Sequence, residues 1–220
     1  MKPTDLLLGR SIWFVEGKPD TDTAASLFDM AKGLEARYKF LEIPKTVGEY
    51  EFNKGVTFAG GIFNGKPVIN RFQIFTNGLL SESNKGTELC DEFFDDVISW
   101  ANKEFGFEFS EQENPGRLYE NEMEFESILP LDNLFSPIAC ITQKIPELLL
   151  EYGQQKHVYE FTGLVFNVDA TKAPKPTPAQ FTLERRTSHS HDENLYYSRA
   201  PLRTRDHIEL LEILERELST

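Results

Sequence analysis

The sequence predicts an α+β protein, built of antiparallel β-hairpins and meanders with helices packed on a sheet. Three observations predict it. Asn-Gly pairs at 64–65 and 77–78 separate short apolar runs, and that dipeptide is the strongest short-range hairpin signal. Blocks of such runs alternate with amphipathic stripes at helical spacing. Phenylalanine, with 18 copies, recurs in alternating positions, as buried strand residues do.

The elements follow in order. SIWFV at 11–15 reads as a strand. A helix is expected over Thr21–Tyr38, capped by Asp20, Thr21 or Asp22, with Ala24, Leu27, Phe28, Ala31, Leu34 and Tyr38 as its stripe. Strands are expected at 56–63, 68–76 and 79–83. A helix over 87–105 has Leu89, Phe93, Val97, Trp100 and Ala101 on one face, and Gly106 ends it. RLYENEMEFESI at 117–128 is a strand with Met123 and Phe125 turned to a core. The next helix spans 136–152, with a kink or a break expected at Pro146. A strand at 158–168 precedes a proline-rich loop, ATKAPKPTP. Strands at 180–186 and 195–199 form a hairpin around TSHSHDEN, and a last helix runs from 204 to 218.

The 220 residues read as one unit, and the pattern admits two similar α-βββ-α halves, 20–106 and 134–220. FAGGIFN at 58–64 and FTGLVFN at 161–167 are the residues that suggest it. No apolar run approaches the roughly 20 residues of a membrane helix, and MKPTDLLLGRS lacks a signal peptide's apolar stretch, so the expected setting is the cytoplasm. Cys90 and Cys140 have no metal-ligand spacing and read as small buried hydrophobes, each on the inner side of a helix.

Charge is unevenly placed. The net is −13, and residues 86–133 hold 14 acidic and 2 basic side chains. The last fifty residues are balanced and hold six of the ten arginines. Such acidity disfavours nucleic acid, whose phosphates demand positive charge. Within the acidic block, Glu120, Glu122, Glu124 and Glu126 occupy every second position of one strand, about 7 Å apart on one face. Three readings compete for them. One is a solvated sheet face paired with arginines of a neighbouring strand, for which Arg185, Arg186 and Arg199 are available. Another is an acidic docking surface, extended by Asp91, Glu92, Asp95 and Asp96, for a basic protein partner. The third is a divalent-metal site.

Other chemistry is thinner. His189 and His191, two apart with Asp192 and Glu193 beside them, resemble metal ligands but sit in a polar loop. No G-x-S-x-G elbow, P-loop or dinucleotide fingerprint occurs, so no motif calls for a cofactor. Arginines 185, 186, 199, 203 and 205 lie near Tyr196 and Tyr197, a combination better matched to internal pairing with the acidic block than to nucleic acid. The expected function is therefore a non-enzymatic adaptor, inhibitor or immunity-type factor. It would bind a basic protein through the eight acidic residues just named. A metal-dependent hydrolase or nuclease is the alternative, and self-association through strand edges is a third class.

Overall fold

The sheet is built outward from one long strand, β1 (Lys2–Glu16). The computed structural model describes residues 1–16, 24–106, 110–111, 116–129, 131, 139–155, 158–169, 171–173, 175–190 and 193–218. The strand was expected only at 11–15. Its register against β6 (Arg117–Glu126) shifts between Pro3 and Asp5 and again between Leu6 and Leu8. Those irregularities interrupt the alternation that would have announced residues 2–10 as strand.

After β1 come α1 (Ala24–Tyr38), β2 (Val56–Phe63), β3 (Lys66–Phe75), β4 (Gly78–Ser83) and α2 (Thr87–Phe105). The short β5 (Ser110–Glu111) pairs with the end of β1. After β6 come α3 (Ala139–Glu151), β7 (Gly163–Phe166), β8 (Phe181–Arg185), β9 (Leu195–Ala200) and α4 (Thr204–Glu217). The sheet order is β2-β3-β4-β1-β6-β9-β8-β7, with antiparallel neighbours throughout. This is the α+β architecture of helices on an antiparallel sheet.

The order strand, helix, three strands, helix occurs twice, and the sheet order mirrors itself about the β1–β6 pair, where Gly9 faces Asn121. Each unit thus begins with a strand that lies before residues 20 and 134. The two FxG motifs fall on counterpart strands, β2 and β7, but out of phase. Phe58 faces Phe72, which faces Ser81; counted the same way from the centre, Leu164 faces Leu183, which faces Ser198.

Turn chemistry explains one hairpin as expected and corrects another. Asn64 and Gly65 join β2 to β3 with φ of 49° and 74°, as a type I′ turn requires. The β3–β4 loop is instead Thr76-Asn77, because Gly78 already pairs with Phe75. Gly78 answers a close approach: a Cβ there would lie 2.7 Å from the Trp13 carbonyl oxygen.

The larger core lies between the first four strands and helices α1 and α2. Phe58, Phe72, Phe93 and Phe94 are fully buried in it, and Tyr38 and Phe63 meet Phe93 edge-on at 4.9 and 5.5 Å. Each such ring removed from water contributes about 2–3 kcal/mol. A smaller core forms from Met123, Phe125, Leu183, Tyr196 and Leu211. The alternation of buried positions puts α1, α2 and α4 on one face of the sheet. Helix α3 differs: none of its described side chains is buried, and Cys140 is exposed, contrary to the inward position expected for it. Cys90 is buried as expected, and burial pushes its thiol up to about 12. The caps proposed at Asp20 to Asp22, and the start of the 136–152 helix, lie outside the described residues.

Candidate functional site

The glutamate strand lies at the centre of the sheet, and its neighbours decide what its charges do. On the face away from the helices, Arg71, Glu82, Arg10 and Glu120 line up across β3, β4, β1 and β6. Arg10 donates from Nε to Glu82 at 2.7 Å and pairs with Glu120; Arg71 pairs with the same Glu82. Arg199 of β9 continues the row, pairing with Glu120 and lying 3.8 Å from Glu122. Arg186 pairs with Glu124. Glu126, at the strand's end, is exposed. Four arginines thus meet four glutamates in a lattice with no net charge. Burial disfavours the Arg10 cation, but its bonds to Glu82 and Glu120 outweigh that and hold it above its ordinary pKa. Burial and then the Glu122 charge push the Tyr197 phenol up to about 12.

The acidic residues of α2 do not join this face, because the sheet stands between them. Asp91 points inward. It accepts from Trp13 Nε1 and Tyr119 Oη, both at 3.0 Å, and lies 3.7 Å from Arg117, whose guanidinium stacks 3.5 Å over the Trp13 ring. Asp96 ties α2 to α1, accepting from Arg37 at 2.8 Å and from Tyr38 Oη at 2.7 Å. Partial burial works against the Asp96 carboxylate, but those two donors hold it below its usual range. Glu92 and Asp95 are exposed and make no ion pair among the described residues. The eight predicted positions therefore divide. Glu120, Glu122 and Glu124 belong to the lattice, Asp91 and Asp96 bind elements together, and Glu92, Asp95 and Glu126 face solvent.

The centre of the helix-covered face holds a polar cluster that sequence reasoning missed. Helices α2 and α4 start side by side and cap each other: Thr87 N–H donates to Thr204 Oγ1 at 3.0 Å, and Thr204 N–H donates to Thr87 Oγ1 at 2.9 Å. Asn121 Nδ2 donates to Thr204 Oγ1 and to the Leu8 carbonyl. Its Oδ1 therefore accepts from His207 Nδ1 at 2.7 Å, and His207 Nε2 lies 2.9 Å from Ser198 Oγ. Ser198 also reaches the Thr182 carbonyl at 2.9 Å. Desolvation lowers the His207 pKa to about 4, so the ring is neutral at pH 7. Serine, histidine and asparagine stand here in the order of nucleophile, base and orienting group. All three are fully buried, so no substrate carbonyl reaches Ser198, and the cluster's work is to hold α4 on the sheet. A signal for it was present: His207, Leu211 and Leu214 share the apolar stripe of α4.

Surface clefts among the described residues lie elsewhere. One of about 360 Å³ is lined by Glu42, Glu49, Glu51 and Lys54, among others, and one of about 480 Å³ by Ile128, Leu129, Glu212, Glu215, Arg216 and Leu218. Among the described residues no three His, Cys, Asp or Glu side chains converge as a metal ion needs. His189 accompanies Glu193 at 3.0 Å, while His191 and Asp192 lie outside the described residues. No described helix is long and apolar enough to cross a membrane. No known protein family and no curated protein matches the chain.

Proposed function

We propose that the chain is a soluble, cytoplasmic, non-enzymatic binding factor of the adaptor, inhibitor or immunity type, and that it engages a basic protein partner through the outward faces of α2 and α4. The supporting observation is where the charge resides. The arginine–glutamate lattice on the sheet's open face carries no net charge, whereas α2 and α4 together carry eleven carboxylates against three basic side chains, −8 of the chain's −13, of which Asp91 and Asp96 are held by Arg117 and Arg37. Glu88, Glu92, Asp95, Glu209 and Glu212 are exposed there. A surface of one sign steers a partner of the other and fades with salt. The two cysteines are free thiols and one is exposed, which suits a reducing compartment.

The test uses native and E92K/D95K chains as bait in a lysate of the source organism, at low and at high salt. A basic protein held by the native chain at low salt, released at high salt and lost by E92K/D95K is the expected result. Undiminished recovery by E92K/D95K overturns the assignment to this face. The alternative, a metal-dependent hydrolase or nuclease, has no converging ligand set to support it among the described residues.

A further inference from the structure

The two units are not equally covered, and the difference outlines a binding seat. Reciprocal capping aligns Thr87 of α2 with Thr204 of α4, and residues at equal distances along the two helices correspond. The inward positions agree: Cys90 and Phe94 are buried, as are His207 and Leu211. The positions that α1 covers do not agree. Phe93, packed by Tyr38 of α1, is fully buried; its counterpart Leu210 is 38% exposed. Asp96, held by Arg37 and Tyr38 of α1, corresponds to Ile213, 37% exposed. On the adjoining sheet edge Phe166 is 65% exposed, and its ring lies 5.8 Å from that of Phe181. An apolar groove thus lies open where the first unit holds an amphipathic helix.

We infer that this groove, lined by Phe166, Phe181, Leu210 and Ile213, seats an amphipathic helix of the basic protein partner, lying as α1 lies in the first unit. The inference rests on the basic-partner reading and adds the partner's shape. The occupant is a helix because its counterpart position is filled by one. It is basic because the exposed Glu209 and Glu217 flank Ile213, one helical turn away on either side. The chain's own α3 occupies the matching place in the order of elements, yet none of its described side chains is buried. It carries Glu147 and Glu151 against one lysine, Lys144, which is already paired with Glu147 at 2.8 Å. Like charge against α4 disfavours its seating.

The probe is a labelled peptide of residues 24–38 carrying D29K and E35K, titrated with the full chain and read by fluorescence anisotropy. Saturable binding is expected, weakened at least about tenfold by F166E and, independently, by L210E/I213E. Both sites are exposed, so these variants keep the fold, checked by circular dichroism. Equal binding of a scrambled peptide of the same composition would reduce the interaction to charge alone and overturn the seat. So would loss of binding in E92K/D95K with F166E unaffected. Tighter binding by I145E/L149E would assign the groove to α3 instead, and an F166E-sensitive self-association in sedimentation would assign it to a second copy. Peptide binding that survives while salt-sensitive capture from lysate fails separates the seat from the basic-partner reading.

Discussion

His207 shows how much one residue decides here. Its ring is closed in by Asn121, Ser198 and Phe181 and has no carboxylate bonded to it among the described residues, so a proton on it finds no compensation. Its folded pKa, about 4, lies below the unfolded value of 6.5. The unfolded chain therefore binds the proton first as pH falls, and stability drops progressively between about pH 6.5 and 4. Between pH 7 and pH 5 the loss should be about 2 kcal/mol, measured by urea unfolding, and H207Q should flatten the profile over that window. A native chain equally stable at both pH values would sink the account. The sequence places it in an apolar stripe but does not fix its role, because a histidine there looks the same whether it is a base, a ligand or a buried hydrogen-bonding strut. Its meaning depends on Asn121 and Ser198, which are 86 and 9 residues away.

At the scale of elements, β6 illustrates what periodicity can and cannot show. Strict alternation marked its two faces correctly, since charge on one face and Met123 and Phe125 on the other leave a single phase. Arg199 and Arg186 were foreseen as partners because a hairpin of arginines was legible downstream. Arg185 was assigned with them, but it turns to the other face, 5.0 Å from the Tyr196 ring. Arg10 was missed because the bulged half of β1 has no clear alternation, and without Arg10 the glutamates looked like a surplus of charge. The helices α2 and α4 were legible almost to the residue, since their stripes run over several turns and are not broken by proline. The pairing separates the four glutamates energetically. Glu120 is nearly buried between Arg10 and Arg199, so E120A should cost about 2–4 kcal/mol in urea unfolding, leaving two half-buried guanidiniums short of a carboxylate. E126A, at the exposed strand end, should change stability by no more than about 0.5 kcal/mol. Equal, small costs at both positions would remove the lattice from any account of what holds the sheet together.

Across the whole molecule, one backbone ladder joins two cores of unequal quality. The first unit closes its core with two helices and a run of interlocking phenylalanines, and both of its helices bury side chains. The second closes its core with α4, while α3 holds no fully buried side chain among its described residues, its Ile145, Leu148 and Leu149 being half-buried, and β7 ends the sheet with Val165 and Phe166 exposed. Sub-global opening follows the density of buried apolar contact, so it should begin at the β7 edge and move inward. The β1–β6 pair resists last, because the Thr87–Thr204 caps and the Arg–Glu lattice fasten it from both faces. Native-state hydrogen exchange should therefore find amides of β7 and β8 exchanging at least about 100-fold faster than those of β1 and β6, a gap of about 2.7 kcal/mol in opening free energy. Uniform protection would mean that the ladder couples the two cores into one cooperative unit and that the open groove costs the fold nothing. A gradient that flattens when the basic amphipathic peptide is added would place the missing stability at that groove, because a ligand bound only by the closed state raises the opening free energy of the elements it covers.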